Sequence, residues 1–390
     1  MCRNAKVLLV ISSLFAFSMG LSSIFINVFF WRETNNLIVI AIYNLIINLT
    51  TPITFVFAGI LSKKKNGIWS LRLGLLIYAL FFALILYIGN KGTIYIYSLG
   101  IISGIAAGFY WLPFNVLCCD FTSINNRDTF NGLNGGFSGL AAIIGPITAA
   151  VIINGFKGLT GYRIVFTITC VIFILLVLIS AIFRCNDYSD KIDYKRAFGS
   201  NSENWRIIRK STFFRGLRDS VMMFLINILA IEVFKRELTL GIFALVASLM
   251  TSFSYVLVQK IIKPPHRKLA ILIGIIGSFL AVWPLVINVK YSTLFMYAII
   301  EAFCLPFFLI QLSSATFNVI DSSNEENSKI EYMINRDVVL NGGRAFSVSI
   351  LIIIILIFKD ISAIKAYLIF LSFSPLISGY FLRKLNNILS

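Results

Sequence analysis

Twelve apolar runs follow one another along the chain, separated by short polar gaps, at 7–31, 37–61, 68–89, 94–118, 131–154, 163–183, 213–234, 239–261, 269–289, 291–315, 338–358 and 362–382. At 1.5 Å per residue, about twenty apolar residues cross the ~30 Å hydrocarbon layer of a bilayer as a helix. Helix is the form an isolated segment must take there, because it alone pairs every backbone N–H and C=O within the segment. The pattern therefore predicts an all-α polytopic membrane protein with twelve transmembrane helices. The first run follows Arg3 and Lys6 and superficially resembles a secretion signal. It continues to Phe30 with no small-residue cleavage site and is expected to be the first span.

The only long polar stretch in mid-chain, 184–212, divides the spans six and six. The expected organisation is an N-terminal six-helix bundle over 1–184, a cytoplasmic linker over 185–212 and a C-terminal six-helix bundle over 213–390. The halves repeat one another. Asn126-Arg127-Asp128, followed by Asn134-Gly135-Gly136, recurs as Asn335-Arg336-Asp337 with Asn341-Gly342-Gly343, about 208 positions later. Ile26-Asn27 recurs as Ile226-Asn227, and Lys63 and Gly74 recur as Lys263 and Gly274, all at an offset of 200. Leu112-Pro113-Phe114 recurs as Leu305-Pro306-Phe307 at an offset of 193. Each match falls on the same span of its half and in the same order. With an even number of spans per half, the repeats are parallel and pseudo-symmetric about an axis along the membrane normal.

Composition agrees with the pattern: 58% of residues are hydrophobic, 13% are charged and 36 are Phe. A water-soluble domain has no core large enough for that apolar surface. The net charge of +17 would suggest nucleic acid if it formed a patch, but the Lys and Arg lie in the gaps between spans. With the N-terminus inside, 23 fall on the cytoplasmic side and 9 opposite. That bias predicts a multi-pass plasma-membrane protein with both termini cytoplasmic and lipid, not nucleic acid, as its surroundings. The six cysteines and the single His266 show no metal spacing, and the cysteines are expected to be small apolar fillers. No phosphate-binding glycine loop, zinc motif or nucleophile elbow is present, so neither a cofactor nor an enzymatic activity is expected.

Two parallel six-helix halves with a basic central loop resemble the major facilitator superfamily (MFS fold) over essentially the whole chain. Gly59-Ile60-Leu61-Ser62-Lys63-Lys64-Lys65 is similar to the loop signature of that superfamily, with Lys63 at its acidic position. Gly145-Pro146 resembles the antiporter signature, with Ala149-Ala150 in place of its glycine pair. Tyr110-Trp111-Leu112-Pro113-Phe114-Asn115, the two Asn-Arg-Asp segments and Asn341-Gly342-Gly343-Arg344 resemble a bacterial branch of the superfamily, the YqgE-type transporters. The resemblance implies alternating access and a central cavity lined by spans 1, 4, 7 and 10.

On that frame Glu301 is the sharpest candidate. It lies ten residues into span 10, about 15 Å deep, where a carboxylate must face water, find a cation or hold a proton. The other candidates for contact with substrate or for proton coupling are Arg344, Asn27, Asn227, Tyr110, Trp111 and Asn115. Arg344 has three further readings: a stem that snorkels to the inner surface, a pair with Asp219, or a contact for an anionic group of the substrate. Arg218-Asp219 is placed at the start of span 7 as a local interfacial pair. Asp128 and Asp337 are expected to cap the helices that follow them. The glycines after them are expected to admit neighbouring helices, with Arg127, Asp128, Arg336 and Asp337 forming an inner gate. The resulting expectation is a monomeric secondary transporter that moves a small solute, coupled to protons, with a lean toward efflux of an amphipathic compound. Nutrient uptake by symport and a non-transporting membrane sensor are the alternatives.

Overall fold

The computed structural model describes residues 2–89, 95–122, 124–183, 191–199, 202–322, 329–358 and 361–385. Among these, twelve helices of 21 to 32 residues follow in order, together with one short α-helix, a 3-10 turn at Pro264–His266, and no strand. They are α1 Arg3–Thr34, α2 Leu37–Lys64, α3 Gly67–Ile88, α4 Ile96–Asp120, α5 Ile124–Gly155 and α6 Thr160–Ser180. After the five-residue α7 Tyr194–Phe198 come α8 Glu203–Phe234, α9 Glu237–Ile261, α10 Arg267–Ile287, α11 Tyr291–Ser322, α12 Lys329–Phe358 and α13 Ile361–Leu382. Spans 1–6 of the sequence are α1–α6, and spans 7–12 are α8–α13.

Several helices run past their apolar runs. α5 begins at Ile124, α8 at Glu203 and α12 at Lys329. Beyond the lipid edge nothing in these segments breaks a helix, and propagation of an existing helix needs no new nucleus. Two expectations change as a result. The 184–212 connection is not all loop, since α7 and the first ten residues of α8 lie in it. Asp337 sits inside α12, well past the first turn, so it does not cap that helix; Asp128 is helical too, as the fifth residue of α5. At the start of α8 the cap is Ser202, which accepts from Trp205 N, with Glu203 in the first turn.

The chain divides into two compact units. One comprises Met1–Ala197 with Arg236–Leu245, the other Phe198–Lys235 with Val246–Ser390. Within the first, α1 packs on α5 and α6, and α3 on α4 and α6. Within the second, α8 packs on α12 and α13, and α10 on α11 and α13, which is the same scheme 200 residues later. The repeat reaches the backbone itself. Among the described residues, the two non-glycine positions with positive φ are Asn35 (48°) and Lys235 (57°), which close α1 and α8. Their amides donate to Trp31 O and Ile231 O, again 200 apart. A left-handed residue there ends the helix in one step and starts the next within two residues.

One repeat register shifts. Gly74 of α3 meets the backbone of Phe109 and Tyr110 in α4, whereas its counterpart Gly274 of α10 meets Phe308 in α11. The offset between the facing residues is 198 to 199, so Pro113 and Pro306, at 193, are more than a helical turn from equivalent heights.

Eleven of the long helices are apolar enough to cross a membrane by length and composition. Each buries half or less of its apolar window within the protein. Large side chains such as Phe57 (59% exposed), Leu178 (63%) and Ile357 (67%) point outward. An exposed apolar surface of this extent is what lipid contact requires. α8 is the exception, because Arg218, Asp219 and Glu232 interrupt its apolar run.

Candidate functional site

The charges that interrupt α8 are the centre of a polar cluster in the second unit. Arg218 is the sixteenth of the 32 residues of α8, mid-helix, not at the interfacial start that the sequence suggested. Its guanidinium forks onto Glu301 of α11: Nη2 donates to Oε2 at 2.9 Å, and Nη1 donates to Oε1. Nη2 also donates to Ser278 O of α10 at 3.2 Å. The side chains are 6% and 13% exposed, so this is a buried bidentate pair joining three helices. The planar fork of arginine suits a carboxylate in a way a lysine ammonium does not. Of the three outcomes open to Glu301, the structure shows the cationic partner.

A second pair lies one residue along. Arg344, the sixteenth of 30 residues in α12, donates from Nε to Asp219 Oδ2 at 3.0 Å and again from Nη2. Its Nη1 reaches Asn341 Oδ1 at 3.3 Å. The pair is more open, at 25% and 22% exposure. Arg218 and Asp219 therefore do not pair with each other; the first meets α10 and α11, the second α12. Close approach of α8 and α12 makes this possible. A Cβ on Gly216 would collide with the Leu340 carbonyl, and one on Gly343 with the Phe213 carbonyl.

The remaining candidates divide. Asn27 accepts from Asn44 Nδ2 of α2 at 3.0 Å, while Asn227 donates back to Met223 O of its own helix at 2.7 Å. The two amides thus have different surroundings. Tyr110 is core: 1% exposed, stacked on Phe15 at 3.5 Å and parallel to Phe114, it is not an open wall. Trp111 is 44% exposed and meets Phe15 edge-on, and Asn115 is half-buried. Arg336 bonds its neighbour Asp337 at 3.3 Å. The preceding Asn335 accepts from Trp205 Nε1 at 3.0 Å and donates to Gly199 O at 2.9 Å, which gives this copy of the repeat a packing role. Arg127 and Asp128 are helical, but their side chains lie outside the described residues. Of the four glycines following the two segments, Gly343 alone meets a neighbour; Gly135, Gly136 and Gly342 face open space.

The basic 2–3 loop also has an acceptor set. Lys63, at the acidic position of the loop signature, donates to Lys191 O at 3.3 Å. Arg72 donates from Nε and Nη2 to Ser180 O, the last residue of α6, where a cation meets the negative end of the helix. Gly145 fits against the Gly20 backbone of α1, so the motif around it serves helix contact.

Sequence reasoning missed one group entirely. Arg32 at the end of α1 donates to Glu237 Oε1 at 2.9 and 3.1 Å, and the Tyr162 hydroxyl of α6 donates to the same oxygen at 3.0 Å. All three belong to the first unit, although Glu237 opens a helix that continues into the second. The only signal was an acidic residue directly after a conspicuously basic Lys235-Arg236 gap.

These features define a polytopic helical membrane protein made of two repeated six-helix units, with paired charges held among apolar helices. The chain belongs to the Major Facilitator Superfamily, whose sequence pattern matches residues 8–327. It is 33% identical to the Bacillus subtilis (strain 168) protein YqgE, described as uncharacterized, over 98% of this chain and 90% of that one. It is 40% identical to a Geobacillus stearothermophilus protein described as an uncharacterized protein in the sodM 3′ region, over 42% of this chain and 77% of that one. Two solved structures share the fold. The Escherichia coli fucose:proton symporter FucP superposes with a TM-score of 0.67 at 14% identity, covering 97% of this chain and 98% of its own. The nucleoside transporter NupG gives 0.69 at 12% identity, covering 99% and 100%.

Proposed function

We propose that this protein is a secondary active transporter that moves a small amphipathic solute by alternating access, coupled to protons through Glu301. Membership of the superfamily supports transport in general. The observation that carries the finer reading is the Arg218–Glu301 fork in the middle of α8 and α11. Neither charge is placed there by chance, since each is costly among apolar helices without the other. A proton delivered to Glu301 cancels its half of the pair and leaves Arg218 seeking an acceptor. That is a two-state element that both a proton and a solute can bias. The Asn-Arg-Asp segments, with Arg127, Asp128, Arg336 and Asp337, are proposed as gate elements at the cytoplasmic side, with both termini on that side.

Export is the favoured direction, on the Gly145-Pro146 motif of α5. Uptake by symport is the second reading, favoured by the fork itself, because protonation of Glu301 frees Arg218 to receive a solute at the same moment. The sign of an imposed pH gradient separates them. In proteoliposomes an antiporter accumulates solute when the interior is acidic, and a symporter when the exterior is. Accumulation with an acidic interior, abolished by a protonophore, is expected. No gradient-driven flux of any solute in a broad panel would overturn the proposal.

A further inference from the structure

The charges around Glu301 do not sum to zero. Within the cluster that joins α8, α11 and α12, three guanidiniums, Arg215, Arg218 and Arg344, stand against two carboxylates, Asp219 and Glu301, and each carboxylate is hydrogen-bonded by one arginine. The neighbouring Arg336 and Asp337 neutralise one another. Arg215 is the remainder. Half-buried, three residues before Arg218 and four before Asp219, it lies on the same face of α8. It is within electrostatic reach of Asp219, Arg344, Arg336 and Tyr255. Among the described residues it has neither a hydrogen bond nor a carboxylate within 4 Å. Arg218 is also incomplete, because its Nε is buried without an acceptor. Buried N–H groups are nearly always paired, and a cation at this position without a hydrogen-bonded acceptor is costly.

We infer that the transported solute carries an oxyanion, a carboxylate or phosphate, which binds Arg215 with Arg344 beside it and completes the charge balance of the cluster. This rests on the transporter reading and adds the substrate class. The two established pairs fix the positions of Arg218 and Arg344 before the solute arrives, so little ordering is required on binding. The same chemistry is offered by an anionic lipid headgroup, and the test must separate the two sources.

The full chain is placed in nanodiscs of neutral phosphatidylcholine, and its thermal midpoint is followed with matched probes: benzoate against benzamide, hexanoate against hexanamide, and phenyl phosphate. The acids are expected to raise the midpoint and the amides to leave it unchanged. Arg215→Gln is expected to weaken acid binding by about tenfold or more, the worth of one charge-assisted hydrogen bond, while Arg215→Lys retains most of it. Equal effects of acid and amide, no effect of any acid, or an unaltered Arg215→Gln would overturn the inference. So would stabilisation that appears only when phosphatidylglycerol replaces the neutral lipid, which would assign the site to a headgroup. If Arg215→Gln does not fold, the acid–amide comparison on the native chain decides alone. Gradient-driven flux of a neutral solute would refute the oxyanion and leave the transporter reading standing.

Discussion

Arg218 gives three of its N–H bonds to two helices at once, so its loss leaves Glu301 buried without its partner. Removing one member of such a pair costs about 3–5 kcal/mol, mostly through the partner left behind. Arg218→Gln is therefore expected to lower the thermal midpoint in detergent sharply, and Arg218→Gln with Glu301→Gln to recover much of the loss. A double variant as unstable as the sum of the singles would show that the two side chains do not depend on each other. Asp219→Asn should cost less, about 1 kcal/mol, since Arg344 is a quarter exposed and water can replace part of the lost contact. Glu301 was legible in the sequence because a carboxylate ten residues inside an apolar run has few explanations. Arg218 was not, because it lies near the polar end of its run and looks like an interfacial charge until α8 is seen to extend another ten residues below it.

At the scale of the helix, the contact between α8 and α12 depends on two glycines at which a side chain meets backbone rather than a movable group. Gly216→Ala or Gly343→Ala must force the helices apart and is expected to destabilise by about 1–3 kcal/mol. Gly342→Ala, one position away in open space, removes a helix-weakening residue and should be neutral or stabilising by up to ~1 kcal/mol. Midpoints from the three variants check this, and a Gly342→Ala as damaging as Gly343→Ala would contradict it. The sequence suggested all four glycines of the repeated segments as contact points. Only packing direction distinguishes them, and helical periodicity could not fix that direction while the helix starts were misplaced. A further prediction belongs to α9, whose first turn is held by Arg32 and Tyr162 through Glu237. Glu237→Gln loses the ionic part of this tie, which is worth less than ~1 kcal/mol because Arg32 is a third exposed. Amide exchange over 237–245 should quicken about threefold, and unchanged protection would show that the tie restrains nothing.

For the whole molecule, the twelve apolar runs and the duplicated segments were enough to read an all-helical, twice-repeated membrane protein. Lipid forces helix on any apolar span, and duplication leaves its mark at turns such as Asn35 and Lys235, where backbone geometry permits little else. The site was only half legible. Its charges could be picked out one by one, but which arginine meets which carboxylate depends on how α8, α10, α11 and α12 turn toward one another. The helix least apolar by composition carries the cluster, and its charges are tolerable because they are paired. The central claim is that this pairing couples solute movement to protons. It is tested most directly by comparing native protein and Glu301→Gln in proteoliposomes, measuring both gradient-driven accumulation and solute counterflow without a gradient. Glu301→Gln is expected to keep counterflow and lose accumulation. Accumulation preserved at the native level in Glu301→Gln would contradict it.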